Sequence, residues 1–200
     1  CDDDEALNFN GDSECIYDMC TDYLPSSLNE SEYICDDSAG NGISYNIGEQ
    51  LRCSDVEEIY SICYPEDCNT EFKLADLYGK AIFIQMAASW WPSCYADLSS
   101  FDNLLLEYIN EEELVILYFL YDEGQPHSCT TLGQQGDNQL PLIVNDGILY
   151  DNNLASIVFG MNAITPKYIF INKNLELHYK QSSVMSAVEV EEKIEEMLEE

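Results

Sequence analysis

Positive charge is what this 200-residue chain has least of: seven Lys and Arg stand against 39 Asp and Glu, for a formal charge of −32. Arg52 is the only arginine, and His127 and His178 are the only histidines. With no basic patch to neutralise phosphates, a nucleic-acid partner is excluded. The chain also lacks a long hydrophobic run. A membrane-spanning helix needs roughly 18 apolar residues, whereas the longest strongly apolar stretch, Leu114 to Tyr121, reads as a buried strand. There is no phosphate-binding glycine loop, no Ser-His-Asp order and no metalloprotease helix motif. His127 lies two residues from Cys129 in a loop and His178 lies in a strand pattern, so no metal and no cofactor is expected.

Cysteine is abundant by contrast. Nine cysteines occur at positions 1, 15, 20, 35, 53, 63, 68, 94 and 129, seven of them within the first 68 residues. Such density in a polar segment points to disulfides and an oxidising compartment. The rival is zinc at the close pairs Cys15/Cys20 and Cys63/Cys68, but no histidine lies nearby to complete a site. Cys1 is followed by Asp2-Asp3-Asp4-Glu5, the pattern left when a signal peptide is cleaved before a lipidated cysteine. The expectation is a protein secreted across the inner membrane and anchored through Cys1 as a periplasmic or outer-surface lipoprotein. Setting Cys1 aside leaves an even number of cysteines, with Cys15, Cys20, Cys35, Cys53, Cys63 and Cys68 in structural disulfides.

Composition divides the chain at residue 68. Residues 1–68 hold 18 acids and one base and read as an acidic tether followed by a disulfide-bonded strap. Within the strap, Ser54 and Glu57 form a capping-box pattern for a helix over 54–60. Residues 69–200 form the main domain. There, 81–87 is apolar on both faces, as a central strand requires. Pro92 suits the first turn of a helix, and Cys94, Leu98, Phe101, Leu105 and Tyr108 make its core-facing stripe. Further strands are expected at 114–121, 140–144, 167–171 and 175–179, with a short helix over 154–159. A final helix starts near Ser186, with Glu189 completing its capping box. This is an α/β order of strand, helix, strand, helical region, strand, strand, helix.

Residues 87–94, Ala-Ala-Ser-Trp-Trp-Pro-Ser-Cys, resemble the A-S-W-C-x-x-C motif of thioredoxin-like redoxins, particularly the TlpA-like branch, with Trp91 in the place of the first cysteine. Residues 72–80, Phe-Lys-Leu-Ala-Asp-Leu-Tyr-Gly-Lys, resemble the F-x-L-x-D-L-x-G-K opening of the same domains. The resemblance covers about residues 69–200. It implies a thioredoxin fold, a central mixed sheet flanked by helices, with Thr165-Pro166 where the family keeps a cis-proline facing the motif. It also implies thiol-disulfide exchange with a protein thiol or disulfide substrate, in which an exposed first cysteine attacks and the second resolves. Trp91 removes that first nucleophile, leaving three readings open. Cys94 could exchange through Cys129 in an altered pair. The domain could instead be a degenerate binding or structural module, with Trp90 and Trp91 as packing or partner contacts. The third reading is a peroxiredoxin-like peroxidase, whose T-x-x-C threonine is here Trp91 and whose arginine could only be Arg52.

Overall fold

A computed structural model describes residues 1–11, 14–24, 33, 35, 44–66, 68, 71–120, 127–145, 154–159 and 166–200. In chain order, a π-helical turn at Met19–Tyr23 precedes α1 (Cys53–Val56), β1 (Tyr60–Tyr64) and β2 (Glu71–Phe72). A 3₁₀ turn at Leu74–Leu77 then leads into β3 (Ala81–Ala87), α2 (Pro92–Ala96), α3 (Leu98–Tyr108) and β4 (Leu114–Leu120). The remainder comprises α4 (Cys129–Gly133), β5 (Ile143–Asn145), α5 (Leu154–Phe159), β6 (Lys167–Ile171), β7 (Leu177–Ser182) and α6 (Ala187–Leu198).

All seven strands join one sheet in the order β2-β1-β5-β4-β3-β6-β7. β3 and β4 run parallel, from Ala81 opposite Leu114 to Ala87 opposite Leu120, and every residue of both is buried. A strand covered on both faces needs such continuous apolar sequence. β6 is antiparallel to β3 and returns through the hairpin to β7. α6 closes the fold by burying Val190, Ile194 and Met197. Its capping box forms as expected: the Glu189 N–H donates to Ser186 Oγ at 3.3 Å, and the Ser186 N–H donates to Glu189 Oε2 at 2.7 Å.

The N-terminal part differs from expectation. The sheet takes β1 from the other side of the division at residue 68, pairing it antiparallel with β5 and β2. The helix expected over 54–60 is the single turn α1, with Arg52 at its N-cap and Glu57 past its end. Glu57 is drawn instead to Lys73 Nζ at 2.6 Å, and the chain extends by Tyr60 to reach β5.

Disulfides join Cys1–Cys15, Cys20–Cys68, Cys35–Cys53 and Cys63–Cys129, leaving Cys94 as a thiol. The residue outside the even set is therefore Cys94, not Cys1. The bond to Cys15 and the lipid anchor expected at Cys1 exclude each other, because one sulfur cannot hold both a thioether and a disulfide. Polar ties add to these crosslinks. β5 pairs with β4 only from Tyr118 onward, and the Ile116 N–H left beyond its end donates to the Tyr23 hydroxyl at 2.9 Å. Tyr45 accepts from the Arg52 N–H at 2.8 Å and Arg52 Nε at 2.9 Å, and donates to Asp55 Oδ2. Lys180 Nζ on β7 reaches the Tyr45 carbonyl at 2.6 Å.

Candidate functional site

The apolar run of β3 carries the chain to the sheet's end, where Ala88 and Ser89 are still buried and the next two side chains emerge. Trp90 and Trp91 are 49% and 38% exposed and meet edge to face, with ring centroids 5.2 Å apart. The turn is set by the Trp91 N–H donating to the Ala88 carbonyl at 3.2 Å. Trp91 is the N-cap of α2 and Pro92 its first residue. An indole offers no acceptor to cap the helix, whereas Pro92 fits because a first-turn residue needs no N–H.

Cys94, one turn along, is fully buried, and its carbonyl accepts the Tyr118 hydroxyl at 3.4 Å. Its sulfur therefore has no access to a bulky disulfide. Cys129 begins α4, where Ser128 Oγ caps the Thr131 N–H at 3.2 Å, and it is bonded to Cys63 of β1. The expected Cys94–Cys129 pair is thus overturned. Pairing β1 with β5 brings Cys63 alongside α4, while α2 turns Cys94 toward the sheet.

Pro166 is buried at the entrance to β6, and Lys167 pairs with Met86, so Pro166 lies beside the end of β3 that feeds the tryptophans. Thr165, and with it the peptide bond expected to be cis, lies outside the described residues. Arg52, the arginine a peroxidase would need, is held in the strap by Asp55 at 2.8 Å and by Tyr45. His127 donates its backbone N–H to Ser89 Oγ at 3.5 Å. His178 on β7 faces Glu200 at 3.1 Å and Glu196 at 3.3 Å, away from the motif.

One residue of this region was missed. Asp97, between α2 and α3, has a buried Oδ2 with no hydrogen-bond partner among the described residues. Burial pushes its carboxyl above the ordinary aspartate value. It faces a crevice of about 90 Å³ between α3, α6 and the sheet, which Gln85 and Tyr168 also line. The signal was present in the sequence: steps of three and four from Cys94 pass through Asp97 to Phe101, so the acid sits on the core-facing stripe.

No protein-family model matches the sequence, and no curated protein matches it. Solved structures do. DsbF of MTB is 14% identical, with a TM-score of 0.58 over 72% of this chain and 97% of its own. The exposed lipoprotein thioredoxin of Streptococcus pneumoniae is 17% identical, with a TM-score of 0.54 over 70% and 98%. PrxQ of Xylella fastidiosa is 16% identical, with a TM-score of 0.58 over 79% and 98%. The strand order from β3 onward, the motif helix and these likenesses together establish that the chain has the thioredoxin fold.

Proposed function

We propose that this protein is an extracytoplasmic member of the redoxin family in which the motif at the start of α2 has become a protein-binding surface and no longer exchanges disulfides. The observation that carries this reading is the burial of Cys94, the one cysteine outside a disulfide among the described residues, with Cys129 bonded to Cys63 instead. Exchange requires a thiolate that can reach the substrate's sulfur in line. Trp91 occupies the place from which attack would come. Two adjacent exposed indoles, each with a large apolar face and one N–H, are suited to contact a polypeptide. The compartment follows from four disulfides, which persist where thiols are not kept reduced. No described helix is long and apolar enough to cross a membrane. A surface location is supported by the likeness to an exposed lipoprotein thioredoxin. The Cys1–Cys15 bond is an alternative to a lipid on Cys1, and the native protein can carry only one of them.

The test is insulin reduction and thiol trapping on the oxidised wild type and on Cys94→Ser. Both proteins should be inactive, and Cys94 should resist alkylation until the protein is unfolded. Turnover that disappears in Cys94→Ser would restore the oxidoreductase reading.

A further inference from the structure

The crevice beside α2 is built unlike an ordinary packing defect. Its walls are Phe83, Phe101, Tyr168 and Met185, and its polar groups include Gln85 and Asp97. Phe83 and Tyr168 lie almost parallel, with centroids 6.4 Å apart and planes 6° from each other, and Phe101 stands 6.3 Å from Phe83. Asp97 lines this aromatic setting, and its buried Oδ2 has no hydrogen-bond partner among the described residues. A buried, unsatisfied carboxyl oxygen is costly, and a donor that filled the crevice would remove the cost.

We propose that the Asp97 crevice binds a small organic ammonium ion. An alkylammonium offers N–H donors and a positive charge to the Asp97 carboxylate, that charge also to the ring faces, and a short apolar body to Phe101 and Met185. Aromatic rings with a nearby carboxylate are the chemistry that recognises such cations. A neutral alcohol of the same size could donate a hydrogen bond but would gain nothing from the charge. An anion would meet the carboxylate. None of the described ion pairs engages Asp97, so the cation is not already supplied by a lysine or by Arg52. The field of a chain with a formal charge of −32 also concentrates small cations at its surface. Tyr168, the other titratable group facing the crevice, is neutral near pH 7, its phenol being pushed up to about 12 chiefly by burial. Affinity therefore rises with pH as Asp97 ionises.

The experiment is an amide chemical-shift titration of the intact, disulfide-bonded protein with n-propylammonium chloride, at constant ionic strength held with sodium chloride. 1-Propanol serves as the neutral comparator. The expected result is saturable shifts at Phe101, Met185 and Val190, with at least tenfold weaker binding of 1-propanol. Asp97→Asn should fold, since it removes only a disfavoured charge, and should bind propylammonium at least tenfold more weakly than wild type. Equal response to both ligands, unchanged binding in Asp97→Asn, or no saturable shift would overturn the proposal, the last leaving the crevice to water alone. Counterion condensation on the acidic surface would persist in Asp97→Asn and is distinguished in that way.

Discussion

The two ends of this molecule reach order by different physical means. From β3 onward, the chain is held by apolar burial: β3, β4 and β6 contain no residue that reaches solvent. Before β3, crosslinks and buried polar contacts are added to a share of the same core, where Met19, Leu24, Leu51, Val56 and Tyr60 are buried. Each of the four disulfides has at least one cysteine within the first 63 residues. A segment with 18 acids and one base in 68 residues carries strong self-repulsion, and the covalent bonds help to offset that and its ordering entropy. The comparison makes distinct demands on each end, and it can be broken at either.

The largest effect is expected at the centre. Phe119 is fully buried on β4, its ring 5.0 Å from that of Tyr60 on β1. Phe119→Ala removes a ring from a close-packed interior and should cost about 3–5 kcal/mol, read as a shift of the whole denaturant transition. If the sheet centre and the strap were instead separate units, this variant would leave the strap's protection in hydrogen exchange unchanged.

Removing a crosslink should have a smaller and more local effect. Cys20–Cys68 closes a separation of 48 residues, and both its cysteines are buried. The paired substitution Cys20→Ala with Cys68→Ala should lower stability by about 2–4 kcal/mol, mainly by freeing the unfolded chain. Hydrogen exchange and limited proteolysis should show residues 1–24 opening first while β3 and β4 remain protected. Simultaneous loss of protection in both regions would mean that the strap is part of the folding core.

The same division explains what could be read without coordinates. β3, β4 and β6 follow from continuous apolar runs, the stripe of α3 from the 3.6 period and the start of α6 from its capping box, and all stand where those local patterns put them. β1 was hidden because Tyr-Ser-Ile-Cys-Tyr is short, lies among turn formers and is held between the two-residue β2 and β5, the latter some 80 residues later. The partner of Cys129 was hidden for the same reason: Cys63 is 66 residues away, and only the β1–β5 pairing brings the two together. Trp91 at the head of a helix was legible from Pro92, whereas the crevice that Asp97 lines forms only where α6 comes to share it with α3 and the sheet. Local chemistry is written in local sequence; contacts made by chain return are not.

The smallest effect concerns the polar contacts that supplement the crosslinks. The Tyr45 hydroxyl accepts from two Arg52 donors and donates to Asp55, and the ring is buried. Tyr45→Phe keeps the ring but takes the acceptor from the Arg52 backbone N–H and one of the donors from Asp55 Oδ2, which should cost about 1–3 kcal/mol. Alkali provides a separate readout. Burial, then the Asp55 carboxylate, pushes the Tyr45 phenol up from 10 to about 12. The folded pKa exceeds the unfolded one, so the folded state holds this proton more tightly. The resulting stability is complete below pH 10 and is lost as pH rises through 12. Tyr23 and Tyr108 are also shifted upward, and Tyr168 is pushed up to about 12, so wild type should weaken over this window through several groups. Tyr45→Phe begins lower but should fall less steeply between pH 10 and 12. Denaturant midpoints measured from pH 8 to 12 decide the matter: parallel curves for the two proteins would mean that the Tyr45 proton is not held by the folded strap.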